Sequence, residues 1–349
     1  MQGFFVILES TFDAVMYNFA LIGCGRIAAR HAENISKVGR LQAVCDVVPQ
    51  RAETFSKAYA AIAYTSIDAL LEKEAGVDVV SICTPNGFHA EHAIKALRSG
   101  KHVLCEKPMC LTTAAAWQMI DTEKFSGKKL FVVKSTRFNP YLQGLKKKLE
   151  AKALGQVYSF QLSCFWNRPS EYYTDWRGKL FPDGGTLYTQ FSHYIDALLW
   201  LLGDVEQVYG FSKKFAHPQI EFEDTGVAAL QLANGVLGTL NWSVNTFQKN
   251  YEIGLTLLAE KGTICLGGPY LNELNYAFPN MDLGITPEQR VANEYGFYTG
   301  SMSNHKEVYE NLVHALNNDN HTFTNAFDGL KTVEAIEKIY KAVTAPSNL

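Results

Sequence analysis

Three segments of the chain hold side chains that could bind a nucleotide and move a proton. The first is Gly23-Cys24-Gly25-Arg26-Ile27-Ala28, with GxGxxA spacing, followed about 20 residues later by Asp46. In such a turn Gly23 permits the tight bend and Gly25 lets a pyrophosphate approach the backbone. Ala28 allows close helix packing, and the free N–H groups around Arg26 and Ile27 face the phosphates. Asp46 would accept hydrogen bonds from the adenosine ribose. Its charge opposes a 2′-phosphate and so favours NAD over NADP, with Arg51 the one nearby cation that argues the other way.

The second segment is split between Thr84-Pro85-Asn86-Gly87-Phe88-His89 and Glu106-Lys107-Pro108, each after an apolar run. A lysine held between an acid and a proline beside a nicotinamide can hydrogen-bond a substrate hydroxyl and favour its alkoxide. Taken alone, Lys107 reads equally well as a solvated surface lysine. The third segment runs from Asp183-Gly184-Gly185 to Asp196. Helical spacing puts Leu187, Phe191, Tyr194, Ile195 and Leu198 on a buried stripe and Thr189, His193 and Asp196 on the opposite, polar side. An imidazole there could take a hydroxyl proton as hydride leaves, or could be a structural histidine.

The elements that must position these groups follow from hydrophobic periodicity. From Tyr17 to about Ser135, short β-branched runs alternate with amphipathic stretches, the pattern of βαβ units and a parallel sheet. The expected strands are Asn18–Ile22, Gln42–Asp46, Val77–Cys83, His102–Cys105 and Lys129–Lys134. Both halves of the second segment then lie at carboxyl ends of parallel strands, where this architecture binds ligands. After Asn139-Pro140 the pattern changes to a helix near Leu142–Glu150 and long strands at Val157–Trp166, Val205–Lys213, Thr225–Leu232, Val236–Val244 and Tyr251–Leu258. Turns such as Ala233-Asn234-Gly235 make them a large, mostly antiparallel open sheet with one face free. Helices near Lys306–Asn317 and Gly329–Ala342 close the chain. The fold class is therefore α/β: a Rossmann domain over 16–137 and an α+β substrate and oligomerisation domain over 138–349, with residues 1–15 an extension outside the fold and Met16 the expected start.

A formal net charge of -3 and no basic run give no electrostatic footprint for nucleic acid or an acidic membrane. A small-molecule substrate is the expected partner. Seven cysteines, none in a CxxC pair, read as reduced core residues of a cytoplasmic protein, with no metal site. No membrane span is expected. A soluble open sheet tends to be covered, which predicts a homodimer or homotetramer.

The GxGxxA turn with Asp46, Thr84-Pro85-Asn86 with His89, Glu106-Lys107-Pro108, and His193 in a helix after a Gly-Gly turn together resemble the glucose-fructose oxidoreductase/inositol dehydrogenase/rhizopine (Gfo/Idh/MocA) family. The resemblance spans nearly the whole chain from Met16. It implies that Lys107 and His193 are the catalytic pair, that Gly23, Gly25, Arg26, Ile27, Asp46, Thr84, Asn86, His89, Glu106 and Lys107 hold the cofactor, and that Lys107-Pro108 is a candidate cis bond. In one respect the chain departs: many members carry an aspartate four residues before the histidine, where this chain has Thr189. The role of orienting His193 would pass to Asp183 or Asp196, or be absent.

A narrower resemblance, to WlbA-type dehydrogenases that oxidise C3 of UDP-N-acetylglucosaminuronate for bacterial surface polysaccharides, rests on Phe131–Lys134, Phe165–Tyr173, Trp176-Arg177-Gly178, Asp183-Gly184-Gly185 and Glu223–Ala228. Arg168 and Arg177 with Tyr172 and Tyr173 offer bidentate donors and aromatic surface for a carboxylate or diphosphate and a sugar or uracil ring. Read without the resemblance, they are a surface loop with packed arginine stems. Asp183, Thr189, His193 and Lys107 complete the expected substrate site. Two other readings stay open: a dehydrogenase of a free polyol or hexose, and a nucleotide-binding regulator without catalysis, against which the joint presence of Lys107 and His193 argues.

Overall fold

The computed structural model describes residues 16–285, 292–296, 298–302, 304–318 and 323–344, with backbone alone at 293 and 294. The expected extension at 1–15 lies outside the described residues. The chain opens with β1 (Tyr17–Ile22), α1 (Ala28–Val38), β2 (Gly39–Cys45), α2 (Pro49–Tyr59), β3 (Ile62–Tyr64), α3 (Ile67–Lys73), β4 (Val79–Ile82), α4 (His89–Arg98), β5 (His102–Cys105), α5 (Thr113–Ser126) and β6 (Leu130–Val132). All six strands are parallel, in the order β3-β2-β1-β4-β5-β6. The order reverses between β1 and β4, and that switch point opens the crevice outside the strands' carboxyl ends.

Helices cover both faces, so the strands are apolar on both sides. Phe19 and Leu21 of β1 point to one core and Ala20 and Ile22 to the other, all at 3% exposure or less.

The remaining elements are α6 (Pro140–Glu150), β7 (Val157–Phe165), the short turn α7 (Leu180–Asp183), α8 (Ser192–Leu202), β8 (Val205–Lys213), β9 (Thr225–Leu232), β10 (Leu237–Ser243), β11 (Glu252–Ala259), β12 (Gly262–Gly267), β13 (Glu273–Phe278), the hairpin β14 (Ala292–Glu294) and β15 (Thr299–Met302), α9 (His305–Asn317) and α10 (Ala326–Thr344). Asn139 caps α6 by accepting from the Tyr141 N–H at 2.9 Å, ahead of the helix-starting Pro140. The second sheet has seven strands in the order β13-β12-β11-β7-β10-β9-β8, antiparallel throughout except where β10 runs beside β7. One face buries Phe160, Leu162, Leu230, Leu240, Trp242 and Leu255. Against it lie α8 and α10. The other face leaves Tyr209, Phe211, Val227 and Leu237 exposed.

Two features depart from a simple reading by segments. Helix α9 returns to the first sheet, packing Val308, Tyr309, Leu312 and Ala315 with Phe19, Leu21 and Ile35. Helix α8 has no exposed polar side: His193 and Asp196 are buried at 7% and 1% exposure beside Tyr194, Ile195 and Leu198. The expectation of a polar face was drawn from 3.6-residue spacing alone. The apolar run Ala197–Leu202 makes the helix hydrophobic nearly all round, which places it in the interior. A π-helical turn at Leu187–Phe191 leads into it and widens the spacing there. No helix among the described residues is long and apolar enough to cross a membrane. All seven cysteines are free.

Candidate active site

A cleft of about 540 Å³ opens at the switch point. At its cofactor end, Gly23 turns the chain out of β1 with φ +91 and donates its N–H to the Cys45 carbonyl at 2.8 Å. A Cβ on Gly23 would stand 2.7 Å from the Cys83 carbonyl carbon, whereas one on Gly25 would meet nothing within 4 Å. Gly25 therefore leaves room on the cleft wall that a pyrophosphate can fill. Ile27, at the start of α1, has no side-chain cap; the Ala28 and Arg30 N–H groups donate to the Gly25 and Ile27 carbonyls at 3.2 and 3.0 Å, and no side chain caps the positive end of the helix where an anion would sit. The Asp46 carboxylate accepts from the Cys24 and Val48 N–H groups, each at 2.8 Å. Those bonds fix it on the wall together with Arg26, Ile27 and Arg51. This end fits a dinucleotide.

The chemical end is assembled from four places in the chain. Lys107, before the cis bond to Pro108, donates from Nζ to the Thr189 carbonyl at 2.8 Å. Burial pulls its pKa down to about 8, with Arg168 and Lys134 adding to the fall. Glu106 accepts at Oε1 from His31 Nε2 at 2.9 Å and His305 Nε2 at 3.3 Å, and at Oε2 from the Lys107 N–H at 2.9 Å. Burial alone would raise its pKa, but the hydrogen bonds from His305 and His31 hold the carboxyl well below the usual range. His89 ties the turn at Thr84 to the turn at Pro108, meeting their carbonyls at 2.8 and 2.7 Å.

His193 lines the same wall, and its Nδ1 is buried without a partner among the described residues. Burial and the Lys107 charge push its pKa well below the ordinary histidine value. Neither aspartate weighed as its orienting partner hydrogen-bonds to it. Asp196 instead accepts from Lys134 Nζ at 2.8 Å and from Arg137 through two bonds of 2.8 Å. Asp183 accepts from the Gly178 N–H at 2.7 Å and from the Thr189 hydroxyl. Asn86 Nδ2 donates to that same hydroxyl at 2.8 Å and to the Asp183 carbonyl at 2.7 Å. Burial pushes the Asp183 carboxyl up to about 6.

The substrate end is built around Arg168, which is 2% exposed. Its Nε donates to Gln190 Oε1 at 2.6 Å and its Nη1 to Asn250 Oδ1 at 3.1 Å, with Trp166 4.7 Å below the guanidinium. Arg177 stacks on Trp176 at 4.6 Å and Tyr172 at 5.1 Å, and its Nε is buried without a partner among the described residues. A buried donor left unpaired in a cleft is poised for a ligand acceptor.

Of the residues singled out in the sequence, Gly23, Gly25, Arg26, Ile27, Asp46, Thr84, Asn86, His89, Glu106, Lys107, Arg168, Tyr172, Arg177, Thr189 and His193 line one cleft. Tyr173 and Asp183 stand behind it: the Tyr173 ring packs on His217 at 4.9 Å, and Asp183 is 1% exposed. The wall also holds residues the sequence did not reveal. Gln190, fifth after the glycine pair, was masked by the apolar pattern around it. Tyr295, Tyr298 and His305 come from the β14–β15 hairpin and the start of α9, where no motif marks them.

Residues 17–134 match the NAD-binding Rossmann fold of the GFO/IDH/MocA oxidoreductase family, and residues 142–265 match that family's C-terminal domain. The solved WlbA dehydrogenase of Bordetella pertussis, in complex with NADH and UDP-GlcNAcA, is 33% identical to this chain. Its structure superposes with a TM-score of 0.85 over 95% of this chain and 97% of the other. The 2,7-anhydro-N-acetylneuraminate hydratase of Escherichia coli (strain K12) is 28% identical over 68% of this chain. The D-glucoside 3-dehydrogenase of the same strain is 30% identical over 56% of it. These matches span 65% and 57% of the two E. coli proteins, less than two thirds of either.

Proposed function

The chain belongs to the GFO/IDH/MocA oxidoreductase family and binds NAD in its Rossmann domain; from that premise we propose that it oxidises a secondary hydroxyl of a sugar to a ketone, at C3 of UDP-N-acetylglucosaminuronate. The observation that carries this reading is the pair of guanidinium groups, Arg168 and Arg177, on the wall that also holds Lys107 and His193. A uronate joined to a diphosphate brings negative charge at two separated points, and the two guanidinium groups supply opposite charge on that wall, Arg177 with its unpaired Nε as a donor. The likeness to a WlbA dehydrogenase that holds UDP-GlcNAcA supports the same substrate.

Bound NAD supplies the hydride acceptor. His193 takes the hydroxyl proton, and Lys107, charged below about pH 8, stabilises the oxygen as negative charge builds on it. The Thr189 carbonyl and Asn86 hold Lys107 and the turn beneath it in place. The product class suits sugar building blocks for surface polysaccharides. We place the enzyme in the cytoplasm, where NAD and nucleotide sugars are available. Self-association through the exposed sheet face that carries Tyr209, Phe211 and Leu237 would remove that apolar surface from water.

A sugar without a nucleotide is the second reading, supported by the likeness to D-glucoside 3-dehydrogenase. NAD reduction by purified protein, measured with UDP-N-acetylglucosaminuronate beside UDP-N-acetylglucosamine, D-glucosides and inositol, decides between them. Faster turnover of a free sugar than of either nucleotide sugar overturns the first reading.

A further inference from the structure

The first residue of α9, His305, is 4% exposed and has its ring on the cleft wall. Its Nε2 lies 3.3 Å from Glu106 Oε1. From that oxygen a line of contacts runs inward: His31 Nε2 at 2.9 Å, then His31 Nδ1 to the Tyr309 hydroxyl at 2.8 Å, then Tyr309 to Ser81 Oγ at 3.0 Å. The inner end is sealed, because Ser81 is 0% exposed. At the outer end stands His305, which lines the cleft and whose Nδ1 is buried and has no partner among the described residues. A buried imidazole nitrogen on a cleft wall needs a ligand or a water to satisfy it.

The two imidazoles on the wall are supported differently. Among the described residues no carboxylate bonds His193, Asp183 instead accepting from the Thr189 hydroxyl, and the Lys107 charge acts against its protonation. His305 has the Glu106 carboxylate directly behind it. An acid behind an imidazole stabilises the imidazolium, and a neighbouring ammonium does the reverse. The other titratable or charged groups around the two rings and Glu106 are His31 on α1, Cys83 after β4, His89 on α4, Lys107 after β5, Lys134 after β6, Tyr295 after β14 and Tyr309 on α9. Burial pushes the His31 pKa down and the Tyr309 pKa up, so both stay neutral and Glu106 is the one anion in the group.

We propose that His305, backed by Glu106, is where the proton lost by the substrate hydroxyl comes to rest after His193 has first accepted it. The inference rests on the dehydrogenase reading above. The hydroxyl O–H bond breaks and its proton ends as an N–H on His305 Nδ1, which makes that ring an imidazolium beside the Glu106 carboxylate. The carbinol C–H bond breaks, its hydrogen and electron pair pass to the nicotinamide of NAD, and the C–O bond becomes C=O. The same proton returns to oxygen in the reverse reaction.

Calorimetric titration of the whole protein with NAD and with NADH at pH 8, in two buffers of different ionisation heat, counts protons without any sugar. The neutral ring of NADH leaves the Glu106 charge uncompensated, whereas the cationic ring of NAD offsets it. Binding of NADH is expected to take up more protons than binding of NAD, and the difference is lost in both His305→Gln and His305→Asn. Equal uptake for the two cofactor forms, or a difference that survives in both variants, overturns the proposal.

With whichever sugar is turned over, Glu106→Gln is expected to move the acid limb of kcat/KM to lower pH by about one unit. A limb that stays in place while the rate falls assigns Glu106 a structural role and overturns the proposal. If no sugar is oxidised, the dehydrogenase reading fails and the calorimetric difference alone decides the proton site.

Discussion

The Thr189 hydroxyl donates to the Asp183 carboxylate, and the Thr189 carbonyl accepts from Lys107 Nζ at 2.8 Å. Thr189, four residues before His193, is thus a hub. It joins the end of α7, the Asn86 side chain and the lysine, and it brings no charge to His193.

Asp183 should make stability depend on pH. Its folded pKa of about 6 lies above the ordinary 3.8, so the native state holds the proton more tightly than the unfolded chain. The resulting stabilisation is fully present below about pH 4 and is lost as pH rises to about 6, on the order of 3 kcal/mol for a shift of about two units. Urea denaturation of wild type and Asp183→Asn between pH 4 and 8 should show the variant gaining relative stability across that interval. A constant difference would mean that Asp183 does not titrate there.

The two glycines of the dinucleotide turn should fail in different ways. Gly25→Ala puts a methyl group where no atom lies within 4 Å, so its melting temperature stays near wild type while NAD binding weakens by about tenfold or more. Gly23→Ala meets the Cys83 backbone at 2.7 Å with φ +91 and should lose stability first. Thermal melts beside fluorescence titration with NADH separate the two. Unchanged NADH affinity in folded Gly25→Ala would remove the pyrophosphate from this turn.

Lys107 should set the alkaline limb of the reaction. Its pKa of about 8 means that the charged form needed at the oxyanion is lost above that pH, so kcat should fall there. Lys107→Ala should lower kcat by about two to three orders of magnitude. A wild-type rate still rising at pH 9.5 would show that the charge is not used.

Asp196 holds α8 in place through Lys134 and Arg137, bridging the end of β6 and α10, where Thr332 donates to it at 3.1 Å. Burial would raise its pKa, but the two cations outweigh that and hold it at about 2. Its contribution is therefore present above about pH 4 and is lost as pH falls toward 2. Asp196→Asn leaves the buried Lys134 without its carboxylate partner, while Arg137 keeps Asp328 at 3.1 Å, and should cost about 3 kcal/mol at pH 7, read by urea denaturation. A loss below about 1 kcal/mol would mean that the pair is solvated.

Much of the cofactor half was legible because its signals are local. The GxGxxA turn, the acid closing β2 and the motifs ending β4 and β5 each lie within a few residues of the strand that positions them. Five strands of the second sheet, β7 to β11, were legible from alternation, whereas β12 and β13 were not. What stayed hidden depends on distance along the chain. His31 and His305 meet at Glu106 across 75 and 199 residues, and no periodicity connects them. The side of α8 that His193 occupies was misjudged because a helix buried on every side carries no polar stripe to read. Gln190 meets Arg168 from within a π-helical turn, which a 3.6-residue period does not describe.

The most direct test of the account is the rate of NADH formation from NAD by wild type and Arg168→Met, with UDP-N-acetylglucosaminuronate and UDP-N-acetylglucosamine side by side. The two sugars differ in the carboxylate alone. The account predicts turnover of the uronate, a loss of about a hundredfold or more in kcat/KM for it in the variant, and little discrimination between the two sugars once Arg168 is gone. Equal turnover of both by the wild type, or none of either beside rapid oxidation of a free sugar, would contradict it.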